Sequence, residues 1–370
     1  MGLIYVAAGE ASGDILGARL IAALRSRDAT LRFAGLGGER MAEGGFETLF
    51  PIRELALMGL VEVLPSLRRL ARRLDETVAD IEARRPRLLV TIDSPGFTLR
   101  LARRVKALGI PVVHYVAPQV WAWRPGRVKR LVGVVDRVLA LLPFEAPIFE
   151  AAGIPVDFVG HPILESEAAH GQAARFPLEG RGLIVMPGSR RGEVSRHLPI
   201  FDATRRALPE GTTPIVALSG AVEALVREGT AGWGARYVRG PAEKADAFAA
   251  ASAGLIKSGT SSLEAAVAGL PHVVAYRVNP ITAAIVRRLV KVPHASLVNL
   301  LAGEEVVPEF IQGDCTAEKL AAGLRPLLEG GAAVERQRAG FARALARLHP
   351  AEGLPSEAAG AAVLRVLQSR

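Results

Sequence analysis

The sequence predicts an α/β protein with parallel sheets, and three observations support this fold class. Short apolar runs alternate with amphipathic helical stretches as far as Cys315, which is the pattern of parallel strands joined by crossover helices. Half of the residues are hydrophobic and 5% are aromatic, while 38 glycines and 24 prolines mark frequent turns. A chain of 370 residues exceeds one ordinary hydrophobic core, so we expect about two domains.

The predicted strands form two groups, separated by a weaker region between Glu165 and Gly182 that is rich in small and polar residues. The first group contains the apolar runs Leu3–Ala7, Leu31–Ala34, Leu88–Ile92, Val112–Val116, Val138–Leu142 and Val156–Val159. The second group contains Leu183–Met186, Pro214–Leu218, Arg236–Val238, Gly254–Ile256 and His272–Ala275. From Thr316 onward the pattern is helical. We therefore predict domains 1–163 and 164–340, followed by helices in 341–370 that pack back across the domains or onto a partner.

Several classes of protein do not fit the sequence. A single cysteine, Cys315, excludes an intrachain disulfide and a cysteine-based metal cluster. Metal-binding, P-loop and nucleophile-elbow signatures are absent, so we expect no metal site and no cofactor. The first apolar run meets Glu10 too early for a signal peptide, and no run approaches the ~18 residues of a membrane-spanning helix. We expect a cytoplasmic protein that is soluble or lies on a membrane surface.

The net charge of +9 is concentrated in one part of the chain. Between Arg68 and Arg130 there are 15 lysines and arginines but only 5 aspartates and glutamates. Such a belt suits nucleic acid, an anionic lipid surface or a phosphorylated substrate, and a solvated basic surface is the alternative. No helix-turn-helix pattern and no basic groove with interleaved aromatic residues supports nucleic acid as the partner.

A basic amphipathic helix is predicted within this part of the chain. Its apolar face contains Leu60, Val63, Leu64, Leu67 and Leu74, and its basic face contains Arg68, Arg69, Arg72 and Arg73. Together with the preceding Met58, this helix suits an anionic membrane interface or a lipid substrate. Docking of the leucines onto the protein's own core is the other interpretation, and both remain open.

Two turns in the second half predict a diphosphate site. Their residues are Ser258, Gly259, Thr260 and Ser261 in one turn, and Gly188, Ser189 and Arg190 in the other. The first turn opens a helix whose N–H groups suit an anionic group, and Glu264 lies one turn further, within reach of a ribose diol. The second turn adds free N–H groups and a guanidinium that binds phosphate oxygens. Simple helix capping and a solvated basic turn are the alternatives.

Asp93 is the candidate catalytic residue. It directly follows the apolar run Leu88–Ile92, so partial burial would raise its pKa towards that of a working base. Capping of the helix that starts near Phe97 is the alternative.

Two further turns in the first half carry polar side chains. The turn at 9–14 lacks the dinucleotide fingerprint, and its carboxylates suit sugar hydroxyls better than a pyrophosphate; helix capping is the alternative. The stretch 114–124 holds two of the three tryptophans beside a cation, which suits a sugar, an acyl chain or a phosphate; core packing is the alternative. The candidate acceptor-side residues are Glu10, Ser12, Asp14, His114, Gln119, Trp121, Trp123 and Arg124.

Eleven stretches, in this order, resemble the lipid-A-disaccharide synthases, a family of inverting glycosyltransferases (glycosyltransferase family 19) of the bacterial outer-membrane lipid pathway. The stretches are GEASGD (9–14), MGLVEVL (58–64), IDSPGF (92–97), HYVAPQVWAWR (114–124), LPFE (142–145), FVGHP (158–162), PGSRRGEV (187–194), SGTSSLEAA (258–266), YR (276–277), SLVNLLAG (296–303) and PEFIQ (308–312). Each stretch alone is weak evidence, but eleven in the same order are strong evidence.

The resemblance implies two Rossmann-like domains facing a cleft, the glycosyltransferase-B fold, with the acceptor lipid held by the first domain and the UDP-sugar by the second. It implies transfer of 2,3-diacylglucosamine from its UDP derivative to 2,3-diacylglucosamine 1-phosphate (lipid X), giving a β-1,6-linked disaccharide 1-phosphate and UDP without a metal. By this resemblance Asp93 would be the general base. The UDP site would contain Arg190, Ser258–Ser261, Glu264, Asn299 and Gln312.

The resemblance also implies peripheral attachment to the cytoplasmic face of the bacterial inner membrane, and homodimers that swap C-terminal helices. The basic belt and helix would then receive an acyl chain and a 1-phosphate at the bilayer surface. Gly96 stands where some relatives carry a second acid, so Asp93 is the only carboxylate in its turn. Two alternatives remain: a UDP-N-acetylglucosamine epimerase, which needs no lipid acceptor, and a non-catalytic nucleotide-sugar-binding membrane protein.

Overall fold

The chain folds into two compact units. A computed structural model describes residues 2–55, 63–123, 125–279, 283 and 292–369. Unit 1 consists of Met1–Pro162 together with Leu348–Arg370, and unit 2 consists of Ile163–Arg347. Each unit is a parallel sheet with helices, which confirms the predicted α/β fold class.

Unit 1 is built on a sheet of seven parallel strands among the described residues. The strands are β1 Leu3–Ala8, β2 Arg32–Leu36, β3 Glu47–Thr48, β4 Leu88–Ile92, β5 Val112–Tyr115, β6 Arg137–Ala140 and β7 Val156–Phe158. Their order across the sheet is β3-β2-β1-β4-β5-β6-β7. All five residues of the central strand β4 are buried, as expected for a parallel strand covered on both faces.

Unit 2 repeats this plan with six parallel strands. They are β8 Arg181–Met186, β9 Thr212–Ala217, β10 Arg236–Val238, β11 Ala253–Lys257, β12 His272–Tyr276 and β13 Glu309–Ile311, in the order β10-β9-β8-β11-β12-β13. The sequence pattern missed β3 and β13. Both are edge strands that begin with a glutamate, and β3 has no apolar residue, so neither stood out as an apolar run.

Helices cover the sheets and start directly after several strands. They are α1 Ala11–Arg27, α2 Glu39–Glu43, α3 Val63–Arg84, α4 Pro95–Lys106, α5 Val120–Trp123, α6 Ala146–Glu150, α7 Arg191–Arg206, α8 Glu223–Thr230, α9 Gly240–Ala250, α10 Thr260–Val267, α11 Leu297–Ala302, α12 Ala317–Glu329, α13 Ala332–Ala346 and α14 Pro355–Gln368. Short 3-10 turns lie at Ile52–Leu55, Pro125–Arg130, Pro162–Glu165, Glu167–His170, Ala173–Arg175, Gly220–Val222 and Gln312–Asp314. None of the described helices is both long and apolar enough to cross a lipid bilayer.

The C-terminal helices divide between the two units. Helix α13 stays in unit 2, where Gln337 accepts a hydrogen bond from the backbone N–H of His272 (2.9 Å) and donates one to its carbonyl (3.0 Å). Helix α14 returns to unit 1 and packs against α1, where Gly360 lies beside Ala23. The helical end of the chain therefore completes both cores.

Candidate active site

The turn after β4 holds Asp93 in an unusual backbone conformation. Asp93 and Ser94 have φ of 49° and 45°, and Val116, at the end of the neighbouring strand β5, has φ of 75°. Residues with a Cβ rarely adopt positive φ, and a β-branched residue does so least of all. The Asp93 N–H donates to Tyr115 O (3.0 Å) and Thr98 Oγ1 donates to Asp93 O (2.6 Å). Such clusters of backbone strain are typical of functional sites.

The Asp93 carboxyl lies in an environment that favours its neutral form. Burial raises the pKa of Asp93 above its ordinary value, the Ser94 backbone N–H lowers it, and the negative charge of Glu10 raises it again. Gly9, at the end of the adjacent strand β1, brings the backbone so close that a Cβ there would lie 2.6 Å from Ser94 Oγ. The structure therefore brings together two predicted residues, Asp93 and Glu10.

A largely apolar cavity of about 840 Å³ opens beside this turn within unit 1. Three charged residues, Glu10, Arg53 and Arg100, lie among its lining. The lining residues are Gly9, Glu10, Ala11, Ile52, Arg53, Leu55, Leu70, Ala71, Leu74, Ser94, Pro95, Gly96, Phe97 and Arg100. A cavity of this size and composition suits an apolar chain that carries an anionic group.

The turn after β1 is split between exposed and buried side chains. Glu10 and Ser12 are exposed, but Asp14 is 4% exposed. Its carboxylate accepts backbone N–H groups from Gly38 (2.7 Å), Arg40 (3.0 Å) and Met41 (3.1 Å) at the start of α2. Asp14 was predicted to face the acceptor, but in the structure its carboxylate caps α2 and holds the loop after β2.

The predicted aromatic platform is only partly described. Gln119 is exposed, and Trp121 is partly buried against Phe144, with ring centroids 5.0 Å apart. His114 is fully buried inside the sheet, where its Nδ1 lies 2.8 Å from Thr91 Oγ1 and burial lowers its pKa to about 4. His114 therefore does not face solvent, contrary to its predicted contact with an acceptor. Arg124 and the side chain of Trp123 lie outside the described residues.

Glu145 is a buried carboxyl that the residue-by-residue prediction missed. It is 3% exposed and accepts hydrogen bonds from the Leu141 and Leu142 N–H groups and from Trp121 Nε1 (3.2 Å). Burial raises its pKa to about 7, against the lowering effect of these three donors. The signal in the sequence was the LPFE stretch, which carried the family resemblance but no assigned role.

The basic amphipathic helix corresponds to α3. Met58 and Leu60 lie outside the described residues, as do the side chains of Val63, Leu64 and Leu67. Leu70 and Leu74 pack against the unit 1 core and line the cavity, so this part of the helix docks on its own protein.

The four predicted arginines of α3 have different surroundings. Arg68 and Arg72 are exposed, with Arg72 3.6 Å from Glu76, and Arg69 is partly buried. Arg73 pairs with Glu54 and Glu76, and its guanidinium lies 4.6 Å from the centre of the Phe50 ring. Arg73 is therefore not free to bind an anionic surface, which corrects that part of the prediction.

The two predicted phosphate-binding turns lie side by side in unit 2. They follow β8 and β11, which are neighbouring parallel strands with Met186 opposite Ile256. Gly188 and Gly259 have φ of 124° and 148°, a region that favours glycine. The Arg190 side chain is 81% exposed, and Ser189 and Thr260 are also exposed. The carboxyl ends of parallel strands are where such folds bind ligands.

The remaining residues of the SGTSS turn have specific partners. Ser258 Oγ donates to Ala295 O (2.9 Å), and Ser261 is partly buried. Glu264 is partly exposed and pairs with Lys244 of α9 (2.6 Å), so a ribose would have to share this carboxylate with the ammonium group.

The Asn299 side chain is buried and does not face the predicted UDP site. It donates to Val307 O (2.8 Å) and Glu309 Oε1 (2.7 Å), and accepts from the Val306 and Val307 N–H groups. This corrects the predicted contact with UDP, because the amide is already satisfied. Glu309, which the prediction did not assign, also accepts the Ser296 N–H at the start of α11 (2.9 Å).

Gln312 follows β13 and is partly exposed, with φ of 56°. Among the described parts of the chain, no group of three or more His, Cys, Asp or Glu residues is placed to hold a metal ion.

Similar solved structures show which class of fold the chain has. A UDP-N-acetylglucosamine 2-epimerase from Methanocaldococcus jannaschii, in complex with UDP-GlcNAc and UDP, has a TM-score of 0.62 and 14% identity, with 100% of both chains covered. The calicheamicin glycosyltransferase CalG4 has a TM-score of 0.59 and 16% identity, with 100% of this chain and 99% of that chain covered. At these identities the similarity establishes the fold alone. It is the glycosyltransferase-B fold, shared by glycosyltransferases and UDP-sugar epimerases.

Sequence similarity then identifies one family. Residues 4–359 match the family described as lipid-A-disaccharide synthetase. The lipid-A-disaccharide synthases of Granulibacter bethesdensis and Gluconobacter oxydans are each 50% identical to this chain over 99% of its length, and over 98% and 91% of their own. The chain belongs to the lipid-A-disaccharide synthetase family, a family of glycosyltransferases, and the resemblance inferred from its motifs is confirmed.

Proposed function

We propose that the chain transfers 2,3-diacylglucosamine from its UDP derivative to the 6-hydroxyl of 2,3-diacylglucosamine 1-phosphate. The products are a β-1,6-linked disaccharide 1-phosphate and UDP, with inversion at the transferred sugar. The observation that carries the proposal is the strained, half-buried Asp93 beside an apolar cavity, in a chain of this family.

Asp93 is the proposed general base. As the acceptor oxygen attacks C1 of the donor sugar, its proton moves to the Asp93 carboxylate and UDP leaves with the electron pair of the C1–O bond. A raised pKa suits this role, because a carboxylate that binds a proton more readily is a stronger base at neutral pH. Glu10, exposed beside Asp93, is proposed to bind a sugar hydroxyl.

The cavity of unit 1 is the proposed acyl-chain site. Its lining contains aliphatic residues of α3, including Leu70 and Leu74, and the ring of Phe97. Arg53 and Arg100 are exposed at this cavity and carry the charge that an acceptor 1-phosphate requires. Apolar walls with two guanidinium groups therefore match a phosphorylated glycolipid.

The two turns of unit 2 are the proposed UDP site. Backbone N–H groups at the starts of α7 and α10 and the exposed Arg190 would stabilise the charge that grows on the departing diphosphate. Gly188, Ser189, Ser258, Gly259, Thr260, Ser261, Glu264 and Gln312 remain proposed donor contacts.

We propose that the acceptor is met at the cytoplasmic face of the inner membrane. The exposed Arg68 and Arg72 of α3, with Arg100, Arg103 and Arg104 of α4, give unit 1 a basic surface suited to anionic lipid.

The test is an assay of UDP release from UDP-2,3-diacylglucosamine. We expect release only when the phosphorylated acceptor is present, and faster release when that acceptor is in anionic vesicles than in neutral ones. Release at the same rate without acceptor would contradict the proposal.

The fold similarity to UDP-N-acetylglucosamine epimerases favours one second candidate, an isomerase acting on the donor alone. Formation of an epimer of the donor, without acceptor, would support that candidate instead.

A further inference from the structure

A buried carboxylate connects the two phosphate-binding turns of unit 2. Glu193, in the first turn of α7, is 8% exposed. Its Oε2 accepts the Ser189 N–H (3.3 Å), and its Oε1 lies 3.3 Å from Arg190 Nη1 and 3.0 Å from Lys257 Nζ. Lys257 is the last residue of β11, directly before Ser258. One carboxylate therefore orients a cation from each turn.

The charges of this group leave a positive excess. Burial alone would raise the pKa of Glu193, but Lys257, Arg190 and the Ser189 N–H together hold it below its ordinary value, so the carboxylate is ionised at neutral pH. Two cations then face one anion, at the N-terminal ends of α7 and α10. Helix N-termini add partial positive charge, so the combined site attracts an anion with several negative charges.

The ammonium group of Lys257 lies within the turn that was predicted to bind phosphate. Its Nζ would be 3.6 Å from a Cβ built on Gly259, and it lies 5.4 Å from the centre of the Tyr276 ring. The side chain is 18% exposed. An ammonium group has three N–H donors, so Lys257 can bind a phosphate oxygen while it keeps its contact with Glu193.

We propose that Lys257 is a second cation for the donor diphosphate, and that Glu193 is a positioning residue that orients Lys257 and Arg190 towards it. The proposal rests on the proposed function. When the C1–O bond of the donor breaks, the electron pair stays on the diphosphate, and Lys257 stabilises the added charge. The family resemblance gave Lys257 no role, because the matching SGTSSLEAA stretch starts one residue later.

The competing explanation is a structural ion pair between Lys257 and Glu193. Removal of one partner of a partly buried pair leaves an unpaired charge, which destabilises the fold whether or not the site binds phosphate. Removal of both partners relieves that penalty. The double variant therefore separates the two explanations.

The experiment measures the affinity of the full-length protein for UDP and for uridine in four forms. They are the wild type, Lys257→Met, Lys257→Arg and the double variant Lys257→Met with Glu193→Gln. We expect Lys257→Met to weaken UDP binding at least about tenfold and to leave uridine binding unchanged. We expect Lys257→Arg, which keeps the positive charge, to retain part of the UDP affinity. In the double variant we expect the melting temperature to recover while the UDP affinity stays low.

Two outcomes would overturn the inference. One is an unchanged UDP affinity in Lys257→Met, and the other is recovery of UDP affinity together with stability in the double variant. If the wild type itself does not bind UDP, the proposed function fails, and this result is distinct from either outcome for the variants.

Discussion

The two sheets place opposite chemistry at the same position in the fold. In unit 1, the turn after β4 carries the acid Asp93 beside an apolar cavity, and non-glycine residues with positive φ form the turn. In unit 2, the turns after β8 and β11 carry Arg190 and Lys257, and glycines occupy the positive-φ positions.

The difference matches the two roles that we propose for these turns, a general base in unit 1 and a diphosphate site in unit 2. A base benefits from partial burial, which raises the pKa of its carboxyl, and from a fixed direction, which side-chain-bearing residues in strained conformations provide. A phosphate site needs close approach to backbone N–H groups, and this requires glycine at the turn. The chemistry therefore depends on the residues of the turn, while the strand–turn–helix frame stays the same.

The strongest test of this comparison is Asp93→Asn. We expect kcat to fall by about 10²–10⁴-fold, the usual scale for a general base, while UDP affinity is unchanged because the UDP contacts are proposed in unit 2. Steady-state kinetics and UDP titration measure the two effects. Asp75→Asn, an exposed carboxylate of α3 paired with Arg104, is the control that keeps full activity. A variant Asp93→Asn that retains more than about a tenth of kcat would contradict the assignment.

A reciprocal exchange tests the backbone difference. Ser94 has φ of 45° and, within the described part of the chain, its buried Oγ has no hydrogen-bond partner, so we expect Ser94→Gly to raise the free energy of unfolding by about 1 kcal/mol. Gly259 has φ of 148°, so we expect Gly259→Ala to lower that free energy by about 1–2 kcal/mol.

Urea unfolding followed by tryptophan fluorescence can measure both changes. Trp121 and Trp123 belong to unit 1, and Trp233 belongs to unit 2. Variants that keep the tryptophans of only one unit therefore separate the unfolding transitions of the two units. Changes of the same sign in the two variants would mean that the backbone contrast between the units has no energetic basis.

The smallest expected effect concerns pH. The charge of Glu10 raises the pKa of Asp93, so Glu10→Gln should lower this pKa and move the acidic limb of the kcat/KM profile to lower pH. Activity depends on the ionised base and is lost as pH falls through its pKa, so a lower pKa extends activity towards acid. Glu39→Gln, an exposed residue of α2, is the matched control and should leave the limb in place. An acidic limb that stays in place in Glu10→Gln would show that the charge of Glu10 does not act on Asp93.

Features encoded in contiguous residues were predicted well from the sequence. The run Leu88–Ile92 has the bounds of β4, and Asp93 and the SGTSS turn follow their strands as expected. Apolar runs bounded by polar turns are local signals, and parallel order places their carboxyl ends at one edge of a sheet.

Features that depend on distant partners were not predicted. Asp14 and Asn299 are polar residues in motifs, but their partners lie at Gly38–Met41 and Val306–Glu309, and only the folded chain shows that these side chains are satisfied and buried. Glu145 and Glu193 were not predicted as buried carboxylates for the same reason. The local sequence does not distinguish a buried carboxylate with three hydrogen-bond donors from an exposed one.

The contact between α14 and α1 makes unit 2 an uninterrupted insertion within unit 1. The two crossing points are adjacent, because His161 N–H donates to Leu348 O (3.0 Å) and Gly160 lies beside Pro350. A gene fragment for 163–347 is therefore a natural unit for separate expression, and a short linker from Pro162 to Leu348 would close unit 1 into a single shorter chain. We expect each unit, expressed separately, to keep its own sheet, so that binding of the acceptor and binding of UDP can be measured apart.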